Sequence, residues 1–77
     1  MNTINKKPTN IKEVTAYFLA CGYFYREIKN NIETSIDKNH SIYTVASFNT
    51  ETLEGIGNKS FEKLADAKKE FKRLANA

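Results

Sequence analysis

The sequence predicts a single small α+β domain, in which two helices pack on one face of a three-stranded antiparallel sheet in the order α-β-β-β-α. The chain has 77 residues, which is one domain at the usual ~100–200 residues per domain. Apolar residues recur at helical spacing near both ends, whereas the centre is rich in β-branched and aromatic residues. We therefore expect residues 1–9 to form a flexible basic arm and residues 10–77 to form the domain.

The first helix is predicted to begin at Ile11 and to end at Ala20 or Cys21. Asn10 followed three residues later by Glu13 is typical of a capping box at a helix start. Apolar residues at spacings of three and four then share one side of the helix: Ile11, Val14, Phe18 and Cys21.

Residues 24–36 fit a helix or a strand equally well by periodicity. Apolar residues recur there every four positions: Phe24, Ile28, Ile32 and Ile36. Asn30, Asn31 and the β-branched isoleucines disfavour a helix, so we expect a strand with a bulge or turn at the two asparagines. Gly22, just before this stretch, suits the left-handed residue that closes a helix.

Two further strands complete the predicted sheet. Residues 37–40 lie between apolar segments and are predicted to form a turn. Residues 41–48 form the strongest predicted strand, and residues 49–51 form the next turn. Residues 52–56 then form a short third strand, so the sheet is a meander.

The second helix is predicted to run from residue 61 to the end of the chain. Residues 57–59 break the third strand, and Ser60 is expected to cap the helix. The apolar stripe of this helix is Phe61, Leu64, Ala67, Phe71 and Leu74. We expect the rest of the core to come from Val14, Phe18, Ile42 and Val45.

The net charge is +3, with 12 Lys and Arg against 9 Asp and Glu. The positive surplus lies at the two ends, with Lys6 and Lys7 in the arm and a basic excess from residue 59 onward. Such a surplus indicates an anionic partner, although it also keeps many small domains soluble.

Catalytic and cofactor chemistry is not indicated. One cysteine and one histidine cannot form an internal disulfide or a four-ligand zinc site. Nothing in the sequence brings Cys21 and His40 together as a nucleophile and base. We therefore expect a non-enzymatic protein with no catalytic or metal-binding residues, no cofactor and no small-molecule substrate.

Because no apolar run approaches the roughly 18 residues of a transmembrane helix, we expect no membrane contact and a cytoplasmic location.

Residues 55–60 carry the pattern of an anion site. Gly55 and Gly57 leave backbone amides accessible, the second helix is expected to start directly after them, and Lys59 and Lys63 stand beside it. The alternative is a glycine turn followed by a serine cap. The spacing of a nucleotide-binding loop is missing, so ATP binding is not expected.

The aromatic residues near the first strand offer a second candidate surface. Alternation along a strand places Tyr23 and Tyr25 on one face and Phe24 on the other. We expect Phe24 in the core, with Tyr23 and Tyr25 either partly buried or forming a contact surface. Together with Tyr43 they are the candidate protein-interaction residues on the exposed face of the sheet.

Several short motifs occur in a fixed order along residues 8–74: Asn10-x-x-Glu13, Asn39-His40, Tyr43-Thr44-Val45, Gly55-x-Gly57, Lys59-Ser60 and Ala67. In this order they resemble the double-stranded RNA-binding domain. The resemblance implies that the first helix and the His40 turn enter successive minor grooves of duplex RNA, while lysines of the second helix hold phosphates. The implied nucleic-acid contacts are Lys59, Lys63, Lys68 and His40, with Lys6 and Lys7 as a mobile basic arm.

In size, and in its lack of catalytic motifs, the chain is also similar to small accessory proteins of phages and mobile elements, including anti-CRISPR proteins. This similarity implies an inhibitor or adaptor that binds a host protein or ribonucleoprotein complex through an exposed sheet face. Nucleic-acid binding and protein binding are thus the two functional hypotheses, and both describe a binding module.

Overall fold

The architecture is a four-stranded antiparallel sheet with helices on one face, in a computed structural model that describes residues 8, 10–20 and 22–76. A 3-10 turn at Ile11–Glu13 leads directly into the first helix. The remaining elements in chain order are α1 (Val14–Ala20), β1 (Phe24–Lys29), β2 (Ile32–Asn39), β3 (Ile42–Asn49), β4 (Gly55–Phe61) and α2 (Leu64–Ala75). No helix among these described residues has the length and hydropathy needed to span a bilayer.

The prediction of a three-stranded sheet is wrong, because residues 24–36 form most of a hairpin rather than one strand. Asn30 and Asn31 adopt positive φ values of 53° and 65°, which asparagine tolerates better than most residues. Two consecutive residues with positive φ form a tight turn whose twist suits a hairpin. β1 and β2 therefore pair directly, from Phe24 opposite Asp37 to Lys29 opposite Ile32.

The second reversal of the chain comes later than predicted. Residues 37–39 belong to β2 rather than to a turn, and the chain reverses at His40 and Ser41. His40 takes a positive φ of 58° there. Residues 37–39 are held in the sheet because each of them pairs with a residue of β3.

β4 occupies the region predicted as a short strand followed by a turn. The loop at residues 50–54 connects it to β3, and the Asn49 side chain accepts hydrogen bonds from two backbone N–H groups of that loop. Pairing with β3 then holds Gly57 and Asn58 in an extended strand. The low strand propensity of these residues is outweighed by ladder hydrogen bonds from a neighbouring strand, which sequence reasoning did not include.

The second helix consequently starts later than predicted. Phe61 ends β4, and α2 begins at Leu64 with Lys63 at its N-cap and no side-chain capping bond. The expected Ser60 cap is wrong. The Ser60 hydroxyl instead lies 3.1 Å from the Thr44 hydroxyl of the neighbouring strand.

The first helical segment begins at Ile11 as predicted, although Ile11–Glu13 is a 3-10 turn and the α-helix itself begins at Val14. Asn10 Oδ1 accepts a hydrogen bond from the Lys12 backbone N–H at 2.9 Å, as expected of a cap. Gly22, however, is not in the left-handed region. It lies against the Tyr17 ring, where a Cβ would overlap the ring atoms, so close approach rather than backbone conformation favours glycine at this position.

The core lies between the helices and the sheet face that they cover. Its buried apolar side chains are Ile11, Val14, Phe18, Tyr25, Ile36, Val45, Ala67, Phe71 and Leu74. Most predicted core positions are therefore confirmed, while Leu64 and Phe61 are half-buried against the cluster. The predictions for Ile42 and Phe24 are wrong, since both side chains are exposed on the opposite side of the sheet.

Candidate functional site

The sheet presents one face to the helices and leaves the other without a covering element among the described residues. We call the uncovered side the open face. Its apolar side chains are Phe24, Ile28, Ile42, Phe48 and Ile56, and its small or polar side chains include Ser35, Thr44, Ala46, Asn58 and Ser60. The register places Arg26, Ser35, Ala46 and Asn58 side by side across all four strands. The two central strands therefore carry short side chains, Ser35 and Ala46, at the centre of the open face, which forms a low area there. The large apolar side chains lie toward the strand ends.

The large apolar side chains of the open face are substantially exposed. The exposed fractions of Phe24, Ile28, Ile42 and Ile56 run from 36% for Ile42 to 58% for Ile28. A shallow depression of about 450 Å³ lies between Ala46, Phe48, Ile56 and Asn58 near the irregular pairing of β3 with β4. This surface offers apolar area together with a recess.

The charged residues of the open face carry a slight negative excess. Arg26 forms an ion pair with Glu33, with 3.6 Å between Nη1 and Oε1. Asp37 on the same face adds a second carboxylate. The open face is therefore locally acidic on a chain whose net charge is +3.

The tyrosines predicted to line the exposed sheet face lie elsewhere. Tyr25 is 8% exposed on the covered side, and its hydroxyl donates a hydrogen bond to Glu27 Oε2 at 2.7 Å. Burial first, and then this hydrogen bond, raises the pKa of Tyr25 above its ordinary range. Tyr43 is half-buried on the same side and stacks on Phe18, with 6.3 Å between ring centroids.

Tyr23 is 67% exposed, but it precedes β1 and is not part of the sheet. Tyr23 contributes instead to a cleft of about 600 Å³ lined by Pro8, Tyr17, Tyr23, Phe24, Tyr25 and Arg26. The cleft adjoins the open face through Phe24 and Arg26.

The predicted nucleic-acid contacts within the described residues lie on different segments: His40 in the β2–β3 turn, Lys59 on β4, Lys63 just before α2 and Lys68 on α2. Lys6 and Lys7 lie outside the described residues. His40 is exposed in the turn between β2 and β3, at the sheet end where β4 also finishes, because Tyr43 pairs with Phe61. The topology therefore brings the His40 turn to the end of the sheet that precedes α2.

The glycine loop expected to bind an anion is not a loop. Residues 55–61 form β4, so they do not place free amides at the start of α2. Lys59 lies on β4 with its ammonium 5.6 Å from the centroid of the Phe61 ring, and Lys63 is exposed just before α2. Lys68 lies further along α2 and donates a hydrogen bond to Thr15 Oγ1 at 2.9 Å.

Lys69 and Lys72 accompany Lys68, although they were not among the predicted contacts. Together with Thr15, Leu64 and Ala65, these three lysines line a groove of about 360 Å³ between α1 and α2. The sequence signal that was available is their spacing of one and four residues, which places them on one side of a helix. That α1 lies alongside them follows only from the tertiary structure.

No group of three or more His, Cys, Asp and Glu side chains that could hold a metal ion occurs within the described part of the chain. Cys21 lies outside that part, so its relation to His40 is not described. Scans against protein-family models, curated proteins and solved structures find no match to this chain.

Proposed function

We propose that the protein is a non-enzymatic binding module, an adaptor or inhibitor that binds a protein partner through the open face of its sheet. The observation that carries the proposal is the exposure of four large apolar side chains on that face: Phe24, Ile28, Ile42 and Ile56. Phe24 and Ile42 lie at one end of the open face and Ile28 and Ile56 at the other. Exposed apolar area of this kind on a small domain is typical of interaction sites.

The energy available from this surface fits a specific but modest contact. Fully burying one such side chain contributes roughly 1.5–3 kcal/mol, and about half of each remains exposed, so the four together supply on the order of 3–6 kcal/mol. Association itself costs several kcal/mol or more, so polar complementarity must add to the apolar term. The low centre of the open face leaves room for a protruding side chain of the partner.

The charges of the open face indicate the chemistry of that partner. Glu33 and Asp37 outnumber Arg26, so an apolar patch bordered by Arg or Lys would complement them. A nucleic acid fits the open face less well, since binding of unpaired bases combines aromatic stacking with a positively charged groove. We therefore assign the open face to a protein surface of apolar and basic character.

Site-specific photo-crosslinking in the cells that make the protein tests the proposal. The crosslinker p-benzoylphenylalanine replaces Ile28 or Ile42 on the open face, and Leu19 on α1 serves as a control because it is apolar and 79% exposed. We expect one defined product from Ile28 and Ile42 that is absent from Leu19. The partner in that product is then purified, and its affinity for the Ile28→Ser/Ile42→Ser variant is expected to fall at least tenfold, with no change for Leu19→Ser.

Three results would overturn the proposal. The first is an equal product from all three positions, which indicates non-specific contact. The second is a product with twice the mass of the chain, which identifies a homodimer instead of a partner. The third is no product from Ile28 or Ile42.

A further inference from the structure

The outer surface of α2 is divided by charge. Lys68, Lys69 and Lys72 lie toward α1, where with Thr15 they form what we call the lysine groove. Helical spacing places Asp66 and Glu70 on the opposite flank of α2. Glu70 is occupied there by Arg73, whose guanidinium binds both of its carboxylate oxygens at 2.6 and 2.9 Å. Glu70, which is paired with Arg73, therefore does not neutralise the lysines of the groove.

Lys68 is held in place inside the lysine groove. Its side chain is half-buried, and its ammonium group donates a hydrogen bond to the hydroxyl of Thr15. That acceptor is neutral, so the bond positions the ammonium group without cancelling its charge. A positioned lysine loses less side-chain entropy when it binds an anion than a free one does.

We propose that the lysine groove binds the phosphate backbone of a nucleic acid. Lysine ammonium groups contact phosphates as point charges, and the Thr15 hydroxyl adds a neutral donor of the kind that commonly binds phosphate oxygens. Lys68 and Lys72 are separated by about 6 Å along the helix axis, so their ammonium groups lie in a row with Lys69 between them in sequence. Because every phosphate of a nucleic-acid backbone carries a negative charge, one strand can meet all three lysines, and we therefore assign the groove to a nucleic acid rather than to an acidic protein.

This inference is independent of the proposed function, because the lysine groove and the open face lie on opposite sides of the molecule. It also differs from the site expected at the start of the second helix. Lys59 and Lys63 are outside the groove, so they provide matched control positions.

Fluorescence anisotropy with a labelled RNA duplex of roughly 16 base pairs tests the inference. With three phosphate contacts, affinity should fall roughly forty-fold between about 50 and 200 mM salt. The variant Lys69→Gln/Lys72→Gln should bind more weakly at the lower salt. Its affinity should then fall only about three- to four-fold over the same salt range. The control Lys59→Gln/Lys63→Gln removes the same formal charge and should keep both the affinity and the salt effect within about twofold of the wild type.

The experiment can contradict the inference in three ways. The absence of saturable binding at the lower salt would show that the lysine groove does not bind RNA. An equal loss in both double variants shows that total charge, rather than the groove, governs binding. Displacement of the RNA by polyglutamate at an equal concentration of charges identifies a site for acidic protein instead. Circular dichroism melts of both variants should match the wild type, since all four lysines are exposed at the surface.

Discussion

The two faces of the sheet consist of the same four strands, yet their side chains differ in size and position. On the covered face, Ile36 and Val45 are fully buried in one cluster with Phe71 of α2. The neighbouring outward residues, Ser35 and Ala46, are small and lie at the centre of the open face. Large apolar residues thus fill the covered face at its centre, whereas on the open face they lie only toward the strand ends. The covered face stabilises the fold, and the open face leaves its apolar side chains exposed.

The largest difference in stability is expected between truncation of Phe71 on the covered side and truncation of Phe24 on the open face. Phe71→Ala should cost about 3–5 kcal/mol, because it leaves a cavity in the core, and a domain of this size has roughly that much stability in total. Phe24→Ala on the open face, where the ring is 46% exposed, should cost about 1 kcal/mol. Urea denaturation followed by circular dichroism measures both. Similar midpoints for the two variants would show that the faces do not differ in their contribution to stability.

A second comparison uses two threonine-serine pairs that bridge neighbouring strands. Thr34 and Ser47 hydroxyls lie 3.2 Å apart and buried on the covered face, while those of Thr44 and Ser60 lie 3.1 Å apart and exposed. Thr34→Val should cost about 1–3 kcal/mol because it leaves a buried hydroxyl without a partner, whereas water satisfies the Ser60 hydroxyl in Thr44→Val.

The same denaturation measurement checks this second comparison, and the double variant Thr34→Val/Ser47→Ala is its control. Replacing both partners by apolar groups should recover much of the loss. A double variant that is less stable than the sum of the two single changes would contradict an account based on the unpaired hydroxyl.

The smallest expected effect concerns two glycines of β4. A Cβ at Gly57 would lie 3.0 Å from a methyl carbon of the buried Leu74, whereas a Cβ at Gly55 meets nothing within 4 Å. Gly57→Ala should therefore destabilise the protein by about 1 kcal/mol through overpacking. Gly55→Ala should be neutral or stabilising by up to about 1 kcal/mol, because alanine restricts the unfolded chain. Thermal melts compare the two, and an equal shift in both would rule out the contact with Leu74 as the cause.

The sequence alone was sufficient where one element carries its own signal. The stripe of Ala67, Phe71 and Leu74 identified the second helix and its buried side, because helical periodicity is a property of contiguous residues. Asn10 marked the helix start for the same reason. Residues 41–48 likewise predicted β3 to within one residue at each end, since a dense run of β-branched and aromatic residues needs no further information.

The candidate sites depended more strongly on tertiary structure. The alternation of Tyr23, Phe24 and Tyr25 was recognisable, but which side meets the helices was not, and the expected sides of Phe24 and Tyr25 were reversed. Lys68 was identified as a candidate contact, but its position beside Thr15 required two segments that are 53 residues apart to meet. Sequence reasoning lists candidate residues, and packing decides which of them share a surface.

The sequence by itself determined the α+β class, both helices, β3 and most of the core, because all of these follow from local periodicity. Only the tertiary structure decided that Asn30 and Asn31 separate two strands, and that residues 55–61 form β4 rather than a glycine loop. The first outcome depends on the direct pairing of β1 with β2 on either side of the asparagine turn. The second depends on hydrogen bonds from β3, which outweigh the low strand propensity of Gly57 and Asn58. The open face and the lysine groove exist because of that pairing and of the helix packing on the opposite side of the sheet.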